Sequence, residues 1–118
     1  MQNITVDLIP LINAPAICHA SQDDDGRQIQ ITLTENGAPY NLTGAEVLTL
    51  KQNTGAGITN RVVIPNPSGD KIIFIVSANM SAVPGQTLCE LEITNNSQKI
   101  GSANFILKIE PLPKPQRA

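Results

Sequence analysis

Residues 28 to 35, QIQITLTE, alternate without a break: Ile29, Ile31 and Leu33 fall on one side, Gln28, Gln30, Thr32 and Thr34 on the other. A period of two puts every second side chain on one face of a pleated strand, so the segment can bury its isoleucines only as part of a sheet. The pattern returns in QTLCELEITN (86 to 95), where Cys89, Leu91 and Ile93 oppose Glu90 and Glu92. It returns again in QKIGSANFILKIE (98 to 110), where Phe105, Leu107 and Ile109 oppose Lys108 and Glu110. Further β-prone runs are ITVDLI (4 to 9), AICHAS (16 to 21), AEVLTLKQ (45 to 52) and ITNRVVI (58 to 64). KIIFIVS (71 to 77) is nearly continuous in apolar residues, which predicts a strand covered on both faces.

Nine prolines and eight glycines in 118 residues interrupt the chain too often for long helices. Asn36-Gly37 tolerates the positive φ that a tight hairpin turn demands, and NTGAG, PNPSGD and NNS supply further bends. SANMSAVPG (77 to 85) reads as a single helical or 3₁₀ turn closed by Val83, Pro84 and Gly85. Strands punctuated by turns every 8 to 12 residues or so form the pattern of an all-β sandwich. The expectation is one immunoglobulin-like antiparallel β-sandwich of seven to eight strands over residues 1–110. Residues 111–118, PLPKPQRA, carry Pro111, Pro113 and Pro115 at alternate positions and are expected to form an extended linker or docking tail.

Charge and termini narrow the function classes. Eight Lys and Arg against ten Asp and Glu give a net charge of −2, and the basic residues are scattered singly, which argues against a nucleic-acid partner. DLIPLINAPAICHA lacks a basic start and is interrupted by Asp7, Pro10 and Pro15, so it is not read as an export signal. No run of about 18 apolar residues occurs, so no membrane partner is expected. Without export, the N-x-[ST] triplets at Asn3, Asn41, Asn79 and Asn95 are chance matches rather than glycan sites.

The catalytic inventory is thin. His19 is the only histidine, and its place in a β segment beside Cys18 favours a structural role. Cys18 and Cys89 are read as buried thiols in preference to a bridge, since no tryptophan accompanies them and no export signal precedes them. Asp23, Asp24 and Asp25 are consecutive where a calcium loop alternates its ligands, so the run is read as a solvated acidic bend. NTGAG lacks the G-K-[ST] of a phosphate loop, and no serine sits in a nucleophile elbow. The expectation is no enzyme, no metal and no cofactor. With two Phe, one Tyr and no Trp, a sugar-stacking platform is poorly supplied, although a carbohydrate-binding module at the host surface is the rival from another class.

From Ile29 to Ile109 the chain resembles the N-terminal domain of the upper baseplate protein of tailed bacteriophages. The resemblance rests on QIQITLTENGAPYNLTGAEVLTLK, followed in order by DKIIFIVS, MSAVPG and CELEITNNSQKIGSANFILKIE. It implies an immunoglobulin-like module with a structural signature at Asn36, Gly37, Pro39, Tyr40, Leu42, Thr43, Gly44, Pro84 and Gly85. Within that signature Tyr40 is expected to lay its ring over one end of the core with its hydroxyl on the backbone, and Leu42 to tuck inward. The resemblance further implies a virion structural protein, made in the host cytoplasm, that serves as an anchor or adaptor of the baseplate at the tail tip, binds tail hub, fibre or capsid proteins and forms a homo-oligomer within the particle. A capsid decoration protein or head-fibre base is the alternative within that class, and the chain can be a short relative or a piece of a longer protein. Ile4, Val6 and Leu8 of the first strand, with Pro111, Pro113 and Pro115, are the candidate partner contacts.

Overall fold

A computed structural model of the chain describes residues 2–9, 15–54, 57, 59–64 and 69–112. The described strands are β1 (Gln2–Asp7), β2 (Ile17–Ser21), β3 (Arg27–Glu35), β4 (Ala38–Pro39), β5 (Val47–Asn53), β6 (Thr59–Ile64), β7 (Lys71–Val76), β8 (Gly85–Asn95) and β9 (Gln98–Glu110), with a one-turn helix α1 (Ala78–Ser81) before β8. They form two sheets. In the first, β3 lies between β1 and β7, and β4 continues beside the far end of β3. The second has the order β2-β9-β8-β5-β6.

The sandwich agrees with the sequence reading, with three differences. Nine strands are described instead of seven to eight, because the return of the Asn36-Gly37 turn pairs Ala38 and Pro39 with Glu35 and Thr34, a two-residue strand too short to leave a pattern. The sheets are not purely antiparallel: β1 runs parallel to β3 and β2 parallel to β9, so the first 21 residues supply one edge strand to each sheet. Finally, β7 is buried on one face only. Among the described residues it is an edge strand with no layer over its outer face, and Ile73 and Ile75 are exposed at 42% and 52%.

The inner faces interlock as two layers of alternating side chains. Ile29, Ile31 and Leu33 of β3 with Ile72, Phe74 and Val76 of β7 meet Leu48, Leu50, Cys89, Leu91, Ile93, Phe105 and Leu107 of the second sheet. Phe74 and Phe105 touch across the gap with ring centres 5.7 Å apart and planes tilted by 40°. Cys18 and Cys89 are unpaired and buried on the inner face of the same sheet, and burial pushes each thiol up to about 12. Because β9 runs between their strands, two strand spacings (about 9.5 Å) separate them, beyond the roughly 7 Å a disulfide can span.

One end of the sandwich is closed by α1, which carries the chain from β7 to β8. Ser77 caps it, its hydroxyl accepting from the Met80 N–H. Gln52, 1% exposed at the inner end of β5, donates from Nε2 to the Met80 carbonyl (2.8 Å) and to the Thr87 hydroxyl (3.1 Å), while its own oxygen accepts from Asn60. Ser81 donates to the Asp24 carbonyl, tying the helix to the bend before β3. Every buried side-chain nitrogen and oxygen described in this plug has a partner, which offsets the cost of burying them.

Candidate interaction surface

The opposite end carries the signature turn. Asn36 and Gly37 have φ of 52° and 84°, the pair of left-handed residues that a two-residue hairpin with the natural strand twist requires. A residue from outside the turn completes it. Asp7, the last residue of β1, accepts hydrogen bonds from the backbone N–H of Asn36 (3.0 Å), Gly37 (2.9 Å) and Ile9 (2.8 Å) and from the Thr34 hydroxyl (2.8 Å). The Gly37 bond is the chief cause that lowers its pKa to about 2 from 3.8; burial opposes it, and the Ile9, Thr34 and Asn36 donors act in the same direction as Gly37. Sequence reasoning missed Asp7 because three of its four donors, Thr34, Asn36 and Gly37, lie 27 to 30 residues away.

After the turn, the Tyr40 N–H donates to the Leu33 carbonyl and its ring packs, half-buried, against the core. No hydrogen bond joins its hydroxyl to the backbone of the described residues, so its contribution to this end is packing. Leu42 is buried and exchanges both backbone hydrogen bonds with Gly69. Thr43 and Gly44 (φ 97°) then turn the chain into β5. Their backbone N–H groups and the Thr43 hydroxyl all donate to Glu46, 8% exposed. Burial works against its ionisation, but these donors and its own N–H hold its pKa below the usual value. The Thr43-x-x-Glu46 spacing, known from helix starts, was the available signal for this group. Pro84 is exposed, and Gly85 (φ 120°) opens β8 at the other end, so the signature residues divide between the two ends of the sandwich.

The candidate contacts divide as well. Val6 is 3% exposed in the core, and Ile4 and Leu8 are half-buried against it; β1 shows Asn3 and Thr5 to the outside instead. All three side chains pack on or in the core, and β1 has its free backbone edge on the side away from β3 among the described residues. Pro111 is exposed just after β9, whereas Pro113 and Pro115 lie outside the described residues. The edge of β2 is already occupied at two points. The Gln2 amide takes the His19 N–H (2.9 Å) and donates to its carbonyl (2.5 Å), and Asp24 accepts from the Ser21 N–H. Such capping blunts an edge against further strands.

The outer face of the second sheet presents two kinds of chemistry. Lys51 lies 2.9 Å from Glu92, and Lys99 lies 3.3 Å and 3.4 Å from Glu92 and Glu90. Hydrogen bonding to Lys51 is the main cause that lowers the Glu92 pKa, and bonding to Glu92 the main cause that raises that of Lys99. Two of the chain's scattered lysines are thereby gathered, but onto carboxylates, which makes a neutral ladder and not a basic patch. Next to it, the register aligns Ile17, Ile106 and Leu88 in one cross-strand row, with Ile17 and Leu88 well exposed. A groove of about 850 Å³ opens between the end of β1 and β9, lined by Val6, Asp7, Leu8, Ile9 and Ala103 among others. Its one carboxylate, Asp7, is committed to the turn. Among the described residues no group of three His, Cys, Asp or Glu could hold a metal ion, and no helix is long and apolar enough to cross a membrane. Asp24, the central acid of the acidic bend, is bound by Arg27 and by the Ser21 N–H. Phe74 and Phe105 are buried and Tyr40 half-buried, which leaves no exposed aromatic platform for a sugar ring.

A prediction follows for Asp7. Its folded pKa is depressed, so its contribution to stability is complete above the unfolded value near 3.8 and is lost as pH falls from there towards about 2. Asp7→Asn should lower the urea midpoint at neutral pH, and the gap from wild type should close over that acid window. A gap independent of pH would show that the carboxylate charge is not what holds the turn.

Comparison with known proteins places this architecture. The family model described as the BppU N-terminal domain matches residues 2–112. Among solved structures, the N-terminal domain of phage TP901-1 ORF48 superposes with a TM-score of 0.67 at 17% identity, covering 92% of this chain and 97% of that one. At that identity the likeness is one of fold. A search of curated proteins returned no match.

Proposed function

The chain belongs to the BppU N-terminal domain family, and from that premise we propose that it is an immunoglobulin-like adaptor of the phage baseplate, joining other virion proteins to one another. The observation that carries the reading is the family match over residues 2–112, together with a two-sheet fold shared with the N-terminal domain of a phage protein. Family membership supports a structural role in the baseplate, and with it association with other virion proteins and a place in the virion. The finer proposal is docking on the tail hub through strand edges and the apolar row of Ile17, Ile106 and Leu88, exposed at Ile17 and Leu88, while the Pro-rich segment from Pro111 leads away as a linker. Backbone edges suit this work because strand addition needs no special side chain, and the apolar row adds area that loses water on contact.

Gold-tagged antibody against the protein, applied to purified virions and viewed by electron microscopy, tests the reading. Gold at the tail tip is expected. Gold over the head would overturn it in favour of a capsid decoration protein.

A further inference from the structure

Among the described residues, nothing blunts the β7 edge of the first sheet. The Leu33 N–H donates to the Asp70 carbonyl (2.7 Å), which fixes the phase of the antiparallel β3–β7 ladder. Opposed residues alternate between bonded and non-bonded pairs, so Ile72 and Phe74 turn their backbone groups to β3 while Lys71, Ile73 and Ile75 turn theirs outward. Among the described residues no strand lies on that side of β7, and no side chain bonds to those groups. Proteins usually protect such an edge with charges, proline or a bulge. Here the six residues KIIFIV carry one charge, Lys71, already 3.4 Å from Asp70, and they show Ile73 and Ile75 to solvent beside Gln30 and Gln28.

We infer that the β7 edge is a homotypic interface, taking the β7 strand of a second copy of this chain to make one continuous sheet across two protomers. The strand complements itself. In an antiparallel pair centred on Phe74, Ile73 of one copy stands opposite Ile75 of the other. Both residues have outward backbone groups, so each such pair exchanges N–H···O=C bonds in both directions. The same register gathers the isoleucines of both copies on the outer face, where apolar cross-strand neighbours stabilise pairing. Lys71 falls opposite Ser77, so no like charges meet. The inference rests on the strand edge and not on the baseplate reading, so either can fail without the other.

Sedimentation velocity of the 118-residue chain over a concentration series is the test. A reversible dimer is expected, and Ile73→Lys with Ile75→Lys should weaken it by at least about tenfold. The thermal midpoint extrapolated to low concentration should not move, since both side chains are exposed. Hydrogen exchange at the Ile73 and Ile75 amides should be slow in the dimer and fast in the double variant. A wild type that stays monomeric, or a dimer indifferent to the two lysines, would overturn the inference. Protection of these amides only on addition of another virion protein would overturn it too, and would assign the edge to that protein.

Discussion

Removal of residues 1–10 is expected to abolish cooperative unfolding, not merely to strip a contact surface from an intact domain. β1 makes a continuous parallel ladder with β3 from Gln2↔Ile29 to Asp7↔Thr34. It places Val6 in the core with Ile4 and Leu8 packed against it. Burying an aliphatic side chain of this size contributes roughly 1.5–3 kcal/mol when complete, and the net stability of a domain is only about 5–15 kcal/mol. The deletion also removes the carboxylate that holds the Asn36-Gly37 turn and the Gln2 amide that joins β1 to β2. It leaves the central strand of the first sheet with a bare backbone edge. Circular dichroism during a thermal ramp should show a broad, low-amplitude change. A sharp transition with the wild-type midpoint would mean that β1 is dispensable to the fold.

The second large effect is expected at Phe105. It is fully buried on β9, and its ring meets Phe74 across the two sheets. Phe105→Ala should cost about 3–5 kcal/mol, because the two sheets cannot close over the vacated volume without breaking their own ladders. Urea titration measures this directly. Phe105→Leu, which keeps most of the volume, should cost much less. In the double variant with Phe74→Ala, the combined loss should fall short of the sum by roughly 0.5–1.5 kcal/mol, the worth of the ring pair itself. Strict additivity would show that the rings fill space independently.

What could be read from the sequence, and what could not, follows from the range of each interaction. The alternation in QIQITLTE and CELEI is local, so strand, face and core residues followed from it. Asn36-Gly37 is equally local, and the turn it forms has the φ signs expected. Parallel pairing of β1 and β2 left no trace, because a strand has the same period of two whichever way its neighbour runs. KIIFIV reads as covered on both faces because a continuous apolar run is what a doubly covered strand shows; only the packing of the described sheets reveals that one of its faces is bare. Asp7 and Gln52 act through partners about thirty residues away in sequence, and composition gives no hint of such pairings. Glu46 was within reach, since it sits three residues from the threonine it binds.

The parallel edge strands have a mechanical consequence. β2 lies near the start of the domain and β9 at its end, side by side and pointing the same way. Tension applied between the two ends therefore pulls β2 and β9 in opposite directions along their shared axis. The hydrogen bonds from Ile17↔Ile106 to Ser21↔Glu110 are then loaded together, in shear, where a hairpin pulled at its open end would release them one by one. With β1 set against β3 in the same sense, the domain is clamped twice along its line of pull. A module in series between other parts of a tail would stay folded under a load that peels open a hairpin.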